Sequence, residues 1–161
     1  MTTVIDAGQP APAFTAPTDG GGSLSLESLR GKAVVLYFYP RDDTPGCTRE
    51  AQEFTEALPA FAAAGAEIVG VSKDSAAKHD RFREKYGLPF TLVSDADGDI
   101  CERYGVWVEK KNYGKTYLGI ERATFLIDAD GTVAEVWRKV KVAGHVEKVL
   151  EAVKDLSRAG G

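Results

Sequence analysis

The sequence predicts a layered α/β fold built on a mixed β-sheet, and three observations carry that prediction. Ala33-Val34-Val35-Leu36-Tyr37-Phe38-Tyr39 is an unbroken apolar run rich in β-branched and aromatic residues, as expected of a strand buried on both faces. Strand-like and helix-like segments then alternate, which favours parallel strands joined by helical crossovers. Near the end, two strand-like segments flank Asp128-Ala129-Asp130-Gly131, a turn that brings antiparallel pairing into the sheet.

Taken in order, residues 8–24 are rich in Gly, Pro, Ala and Thr and read as a loop or hairpin extension, with Gly20-Gly21-Gly22 as its turn. A short helix is expected at Leu26–Leu29, closed by Gly31. After the first buried strand, Pro40 and the loop Arg41–Gly46 lead into a helix from Cys47 or Thr48 to about Ala64. Phe54, Leu58 and Phe61 line one of its faces. Pro59 predicts a kink or an early end there. Glu67–Ser72 reads as a strand. Asp74 or Ser75 caps a helix that runs to Tyr86 and stops at Gly87. Pro89–Ser94 is a third strand and Asp99–Tyr104 a short helix. Lys110-Lys111-Asn112-Tyr113-Gly114-Lys115 reads as an exposed basic loop that could guide an acidic reductant. Strands at Arg122–Ile127 and Thr132–Trp137 precede a last helix, Gly144–Ser157, with Val146, Val149, Leu150 and Val153 on one face.

Composition narrows the function classes. The 161 residues carry 20 basic and 24 acidic side chains, a net charge of −4, which is unlike a nucleic-acid-binding footprint. No apolar run approaches the ~20 residues of a membrane-spanning helix, and Met1–Asp6 has no secretory signal pattern. One cytoplasmic domain over residues 1–161 is therefore expected. Two cysteines are too few for a disulfide scaffold, and in a reducing compartment each needs its own explanation.

Cys47 has the more informative setting. It follows a buried strand and opens a helix, where unpaired N–H groups and the helix dipole favour negative charge. A sulfur placed there is pushed toward thiolate, the nucleophilic form. Thr44, three residues earlier in a loop held between Pro40 and Pro45, can place its hydroxyl beside the sulfur or serve as a plain helix cap. By position alone, Arg122 is a surface arginine at a strand end, and Cys101 a packed thiol in a short amphipathic helix.

These residues carry a resemblance. Pro40-x-x-x-Thr44-x-x-Cys47 matches the active-site motif of peroxiredoxins. The runs Tyr37–Glu50, Tyr104-Gly-Val-Trp107 and Gly119–Asp128 resemble the peroxiredoxin Q, or bacterioferritin comigratory protein, subfamily in order and spacing. The resemblance implies a thioredoxin-like fold, a central mixed sheet flanked by helices with an N-terminal hairpin extension. It also implies thiol-dependent reduction of hydrogen peroxide or organic hydroperoxides. Cys47 becomes the peroxidatic cysteine, oxidised to sulfenic acid. The Thr44 hydroxyl, the Cys47 N–H and the Arg122 guanidinium become donors to the transition state, with Pro40 shielding the thiolate and Glu50 in support. No cofactor or metal is expected, because the sulfur carries the redox change. A monomer, or at most a weak dimer, is expected.

One departure matters. Many subfamily members place a resolving cysteine five residues after the first, where this chain has Gln52, and the helix over Lys78–Tyr86 has none either. Cys101 is the remaining candidate for resolution. The expectation is a one-cysteine enzyme recycled by an external thiol such as thioredoxin, glutaredoxin or a small thiol. His79 and His145 form no short chelating pair with the cysteines and read as solvated helix residues. A redox sensor or holdase with the same reactive thiol, or a plain α/β interaction domain, stays open; sustained turnover separates them from an enzyme.

Overall fold

The central strand of the sheet is the apolar run itself. In the computed structural model, which describes residues 5–160, β3 (Ala33–Phe38) lies between a parallel and an antiparallel neighbour and is almost wholly buried. Residues 1–4, part of the segment read above for a secretory signal, and Gly161 lie outside the described residues. Before β3 come the short pair β1 (Thr15–Pro17) and β2 (Ser23–Ser25), antiparallel to each other, and a 3₁₀ turn at Leu26–Leu29. After it follow α1 (Pro45–Ala63), β4 (Ala66–Ser72), α2 (Ala76–Tyr86), β5 (Thr91–Ser94) and α3 (Ile100–Arg103). The chain continues through β6 (Trp107–Asn112), β7 (Lys115–Ile120), β8 (Ala123–Ile127), β9 (Val133–Trp137) and α4 (His145–Gly160).

The main sheet has the order β5-β4-β3-β8-β9. β5, β4 and β3 run parallel through the α1 and α2 crossovers, whereas β8 and β9 are antiparallel, so the sheet is mixed. Alternation along β3 divides the core in two. Val34, Leu36 and Phe38 join the cluster that holds Phe14, Ile100, Cys101, Tyr104 and Phe125. Val35, Tyr37 and Tyr39 point to the opposite face, under α1, α2 and α4, with Cys47, Phe54, Phe61, Phe82 and Val149.

Three expectations need correction. α1 starts two residues earlier than the apolar pattern indicates, with Thr44 as N-cap and Pro45 in the first turn, where a missing N–H costs nothing. It also runs past Pro59 to Ala63. Pro59 is on the exposed side, where water can take the carbonyl its ring leaves free. The basic loop is in fact the antiparallel hairpin β6–β7, closed by Tyr113-Gly114, both at positive φ. α2 is capped as the sequence indicates, by the Ser75 hydroxyl at its start and left-handed Gly87 at its end. Among the described residues, no helix is long and apolar enough to cross a membrane.

Candidate active site

Cys47 sits in the first turn of α1, directly after the loop that leaves β3, and only 2% of its surface is exposed. The first N–H of this turn to find a helical partner is that of Thr48, bonded to the Thr44 carbonyl at 2.8 Å. The N–H groups of Gly46 and Cys47 have no backbone acceptor among the described residues, so they form a small positive end beside the sulfur.

Arg122, just ahead of β8, supplies the charge. Its Nη2 donates to Cys47 Sγ at 3.3 Å and its Nη1 to Glu50 Oε1 at 2.6 Å, so one planar guanidinium spans the sulfur and the carboxylate. β8 pairs with β3 at Phe38↔Ala123, which is how a residue 75 positions away reaches the start of α1. Gly46 makes room: a Cβ there would meet Arg122 Nη2 at 3.2 Å.

Glu50, one turn beyond Cys47, is fully buried, and its Oε2 has no hydrogen-bond partner among the described residues. Burial pushes its carboxyl up to about 7, against the pull of Arg122. Beneath it Tyr37 stacks on Phe54 at 4.7 Å, and its hydroxyl is likewise buried without a partner. Burial and the neighbouring Glu50 and Cys47 raise that phenol well above its usual range, so it stays protonated. Opposite Tyr37 in the sheet, Thr124 bonds His145 Nε2 at 2.8 Å. Burial, with Arg122 and Lys148 nearby, pushes His145 down to about 4 and keeps it neutral.

The loop carrying Thr44 is tied down from the other side. His79, on α2, meets Asp42 Oδ2 through Nδ1 at 2.6 Å and the Val93 carbonyl through Nε2 at 3.0 Å. Both partners are acceptors, so both ring nitrogens donate and the imidazole is cationic. Burial opposes that charge and the Asp42 carboxylate outweighs it, leaving the His79 pKa raised. Tyr39 donates to Asp42 Oδ1 at 2.6 Å, and the Asp42 N–H donates to Asp74. Asp43, at φ 59°, accepts from Lys85 and Tyr86 of α2. Both histidines are thus buried, contrary to the solvated positions expected of them, because each finds a polar partner contributed by another element.

Of the residues singled out in the sequence, Cys47, Glu50 and Arg122 come together. Thr44 stands at the same helix start, but its hydroxyl donates to the Arg41 carbonyl at 2.9 Å. Pro40 is half-buried where β3 ends. Cys101 lies apart. It belongs to the cluster on the opposite face of the sheet, is fully buried, and both cysteines are free thiols. Burial and the Asp95 carboxylate push the Cys101 thiol far up. The Asp42–His79 pair had no sequence signal beyond two polar residues 37 positions apart.

A cysteine at a helix start, with a guanidinium beside it on an α/β sheet, is an arrangement suited to thiol-dependent redox chemistry, and the comparisons with known proteins place the chain in a class of that kind. The AhpC/TSA family pattern matches residues 7–136, and the chain belongs to that family. Over 95% of its length it is 49% identical to peroxiredoxin Bcp of Bacillus subtilis, covering 98% of that protein. It is 50% identical to peroxiredoxin Bcp of Xanthomonas campestris over 90% of this chain and 92% of that one. A solved structure of the X. campestris bacterioferritin comigratory protein, studied for alkyl peroxide reduction, superimposes with a TM-score of 0.88 at 47% identity. The superposition covers 94% of this chain and 99% of that one. Within the family, then, the chain is a peroxiredoxin of the Bcp/peroxiredoxin Q subfamily, with a thioredoxin-like fold and thiol peroxidase activity.

Proposed function

We propose that this chain is a single-domain, cytoplasmic, one-cysteine peroxidase in which Cys47 reduces hydrogen peroxide and organic hydroperoxides. The observation that carries the reading is the Arg122 bridge, 3.3 Å from the sulfur and 2.6 Å from a buried Glu50. The thiolate attacks the distal peroxide oxygen. An S–O bond forms as the O–O bond breaks, the sulfur loses two electrons to become sulfenic acid, and the leaving alkoxide or hydroxide takes up the proton the thiol gave up on ionising, so that an alcohol or water departs. Negative charge moves from sulfur to the leaving oxygen, so donors fixed beforehand by the fold stabilise the transition state more than the ground state. Arg122 and the Cys47 N–H serve as those donors. The Thr44 hydroxyl turns from the Arg41 carbonyl to the peroxide, Pro40 shields the sulfur, and Glu50 holds the guanidinium in place.

Resolution comes from an external thiol: thioredoxin, glutaredoxin or a small thiol. Supporting this, Gln52 occupies the usual partner position, and Cys101 sits in the core on the opposite side of the sheet. The protein works as a monomer that dimerises weakly at most. Non-reducing mass spectrometry after one equivalent of peroxide tests the scheme. A Cys47 sulfenate, or its adduct with an added thiol, is expected. An intramolecular Cys47–Cys101 disulfide would overturn the one-cysteine reading, and full activity in Cys47→Ser would overturn the peroxidatic assignment.

A further inference from the structure

The three exposed large apolar side chains among the described residues, Tyr113 (97%), Leu118 (60%) and Tyr117 (48%), all lie on the β6–β7 hairpin. Among the described residues this hairpin forms a sheet of its own, paired within itself from Trp107↔Ile120 to Asn112↔Lys115. Its base is in the core: Ile120 is buried, and two residues later the chain reaches Arg122, which contacts the Cys47 sulfur. From Ile120 to Tyr113 the strand extends about 20 Å. An arm rooted beside the nucleophile therefore carries aromatic and aliphatic surface outward into water.

Charge follows the same pattern. The chain is net negative, yet β6–β7 carries Lys110, Lys111 and Lys115 against a single Glu109. Lys110 lies over Gly119, and burial together with the nearby Arg122 cation holds its ammonium below the usual lysine range. The arm's positive charge thus reaches toward the Arg122 guanidinium at its base, with Glu121 between them in the chain. The turn also points to use. Tyr113 takes φ 52°, a conformation that Asn or Gly adopts far more easily, and its ring is almost wholly solvated.

We propose that the β6–β7 hairpin is the docking arm for the reductant, a dithiol protein whose surface around its reactive cysteine is acidic and partly apolar. This rests on the external-thiol reading above. A small thiol approaching Cys47 would not touch side chains about 20 Å up the arm, whereas a protein would. The docked protein delivers one thiol to the Cys47 sulfenic acid, forming a mixed disulfide and releasing water. Its second thiol then displaces Cys47 as a thiol and leaves the reductant as the disulfide.

The test compares recycling by thioredoxin with recycling by dithiothreitol in wild type, Tyr113→Gly, and the pair Lys111→Glu with Lys115→Glu. Tyr113→Gly suits its turn better than the native residue, so misfolding does not confound it. The KM for thioredoxin should rise about tenfold in each variant, and the double charge reversal should remove its salt dependence. Dithiothreitol-driven turnover and the rate of the first peroxide oxidation should stay at wild-type values. An unchanged thioredoxin KM in both variants, or an equal loss with dithiothreitol, would overturn the proposal. If wild type were recycled by dithiothreitol and not by thioredoxin, the docking arm would fall and the external-thiol reading would stand. If neither thiol recycled the sulfenate, both would fall.

Discussion

The two cysteines are almost equally hidden, at 2% and 0% exposure, yet their surroundings are electrostatic opposites. Cys47 occupies the start of a 19-residue helix, with two unused N–H groups and a guanidinium at 3.3 Å. Cys101 occupies a four-residue helix whose start is held by Asp95, which accepts from the N–H groups of Ile100 and Cys101 at 3.1 and 2.9 Å. That carboxylate satisfies the helix start and at the same time opposes a second negative charge on the thiol. Burial is thus common to both cysteines, and the sign of the charge beside each is what differs.

The sharpest way to break this contrast is to exchange the sulfurs for oxygen. Cys47→Ser should reduce peroxide consumption to background, whereas Cys101→Ser should retain the wild-type rate, both read by coupled peroxide assay. Next in size, Arg122→Gln should lower the second-order rate constant with peroxide by about 10²–10³-fold, the cost of one preorganised donor. Arg122→Lys should recover little of it, since an ammonium cannot bridge sulfur and carboxylate as a planar fork does.

The two buried histidines extend the comparison to stability. His79→Ala leaves Asp42 buried without its ion-pair partner and should cost about 3 kcal/mol at pH 6 by urea unfolding. Because the folded-state pKa of His79 is raised, its contribution is complete below the unfolded value of 6.5 and fades as pH rises through the folded one. His145 has the opposite sign. Its folded value near 4 is lowered, so its contribution is present above 6.5 and fades as pH falls toward 4. Difference curves of His79→Gln and His145→Gln against wild type should slope in opposite directions, and parallel slopes would refute the assigned charge states.

Glu50 should produce a comparable pH effect. A buried carboxyl raised from 4.5 to about 7 makes the folded state bind a proton more tightly than the unfolded chain. Wild type should therefore lose about 3 kcal/mol relative to Glu50→Gln as pH rises across that window. Smallest of all, Cys101→Ala should leave catalysis unchanged and cost only about 2 kcal/mol of stability, for a small void in the packed face.

Much of this is legible in the chain itself. The run at Ala33, the caps at Ser75 and Gly87, and the Pro40-Thr44-Cys47 spacing are local signals, each written within a few residues. The resemblance added Arg122, whose partners lie 72 and 75 positions away. What stayed hidden depends on pairing at a distance. The lysines at 110, 111 and 115 mimic a solvated loop because charge masks strand periodicity in a two-stranded arm with exposed faces. The burial of His79 and His145 depends on Asp42 and Thr124, which nothing in the local sequence links to them. The direction of the Thr44 hydroxyl was equally out of reach, since the same residue type would serve as a cap, as a donor toward the sulfur, or as a donor to the Arg41 carbonyl, which is what it does.

Gly46 sits where α1 would be better served by alanine, which is worth up to ~1 kcal/mol more per helical residue. The vacancy of a single methyl group is what lets Arg122 Nη2 come so close to the turn. Gly46→Ala would then act as a wedge of one carbon, separating cation from sulfur while leaving every charge in the protein unaltered. A sturdier helix and a slower enzyme would arrive together. The tolerance of this site is thus set at its backbone, where a few tenths of an ångström decide how closely the cation meets the sulfur.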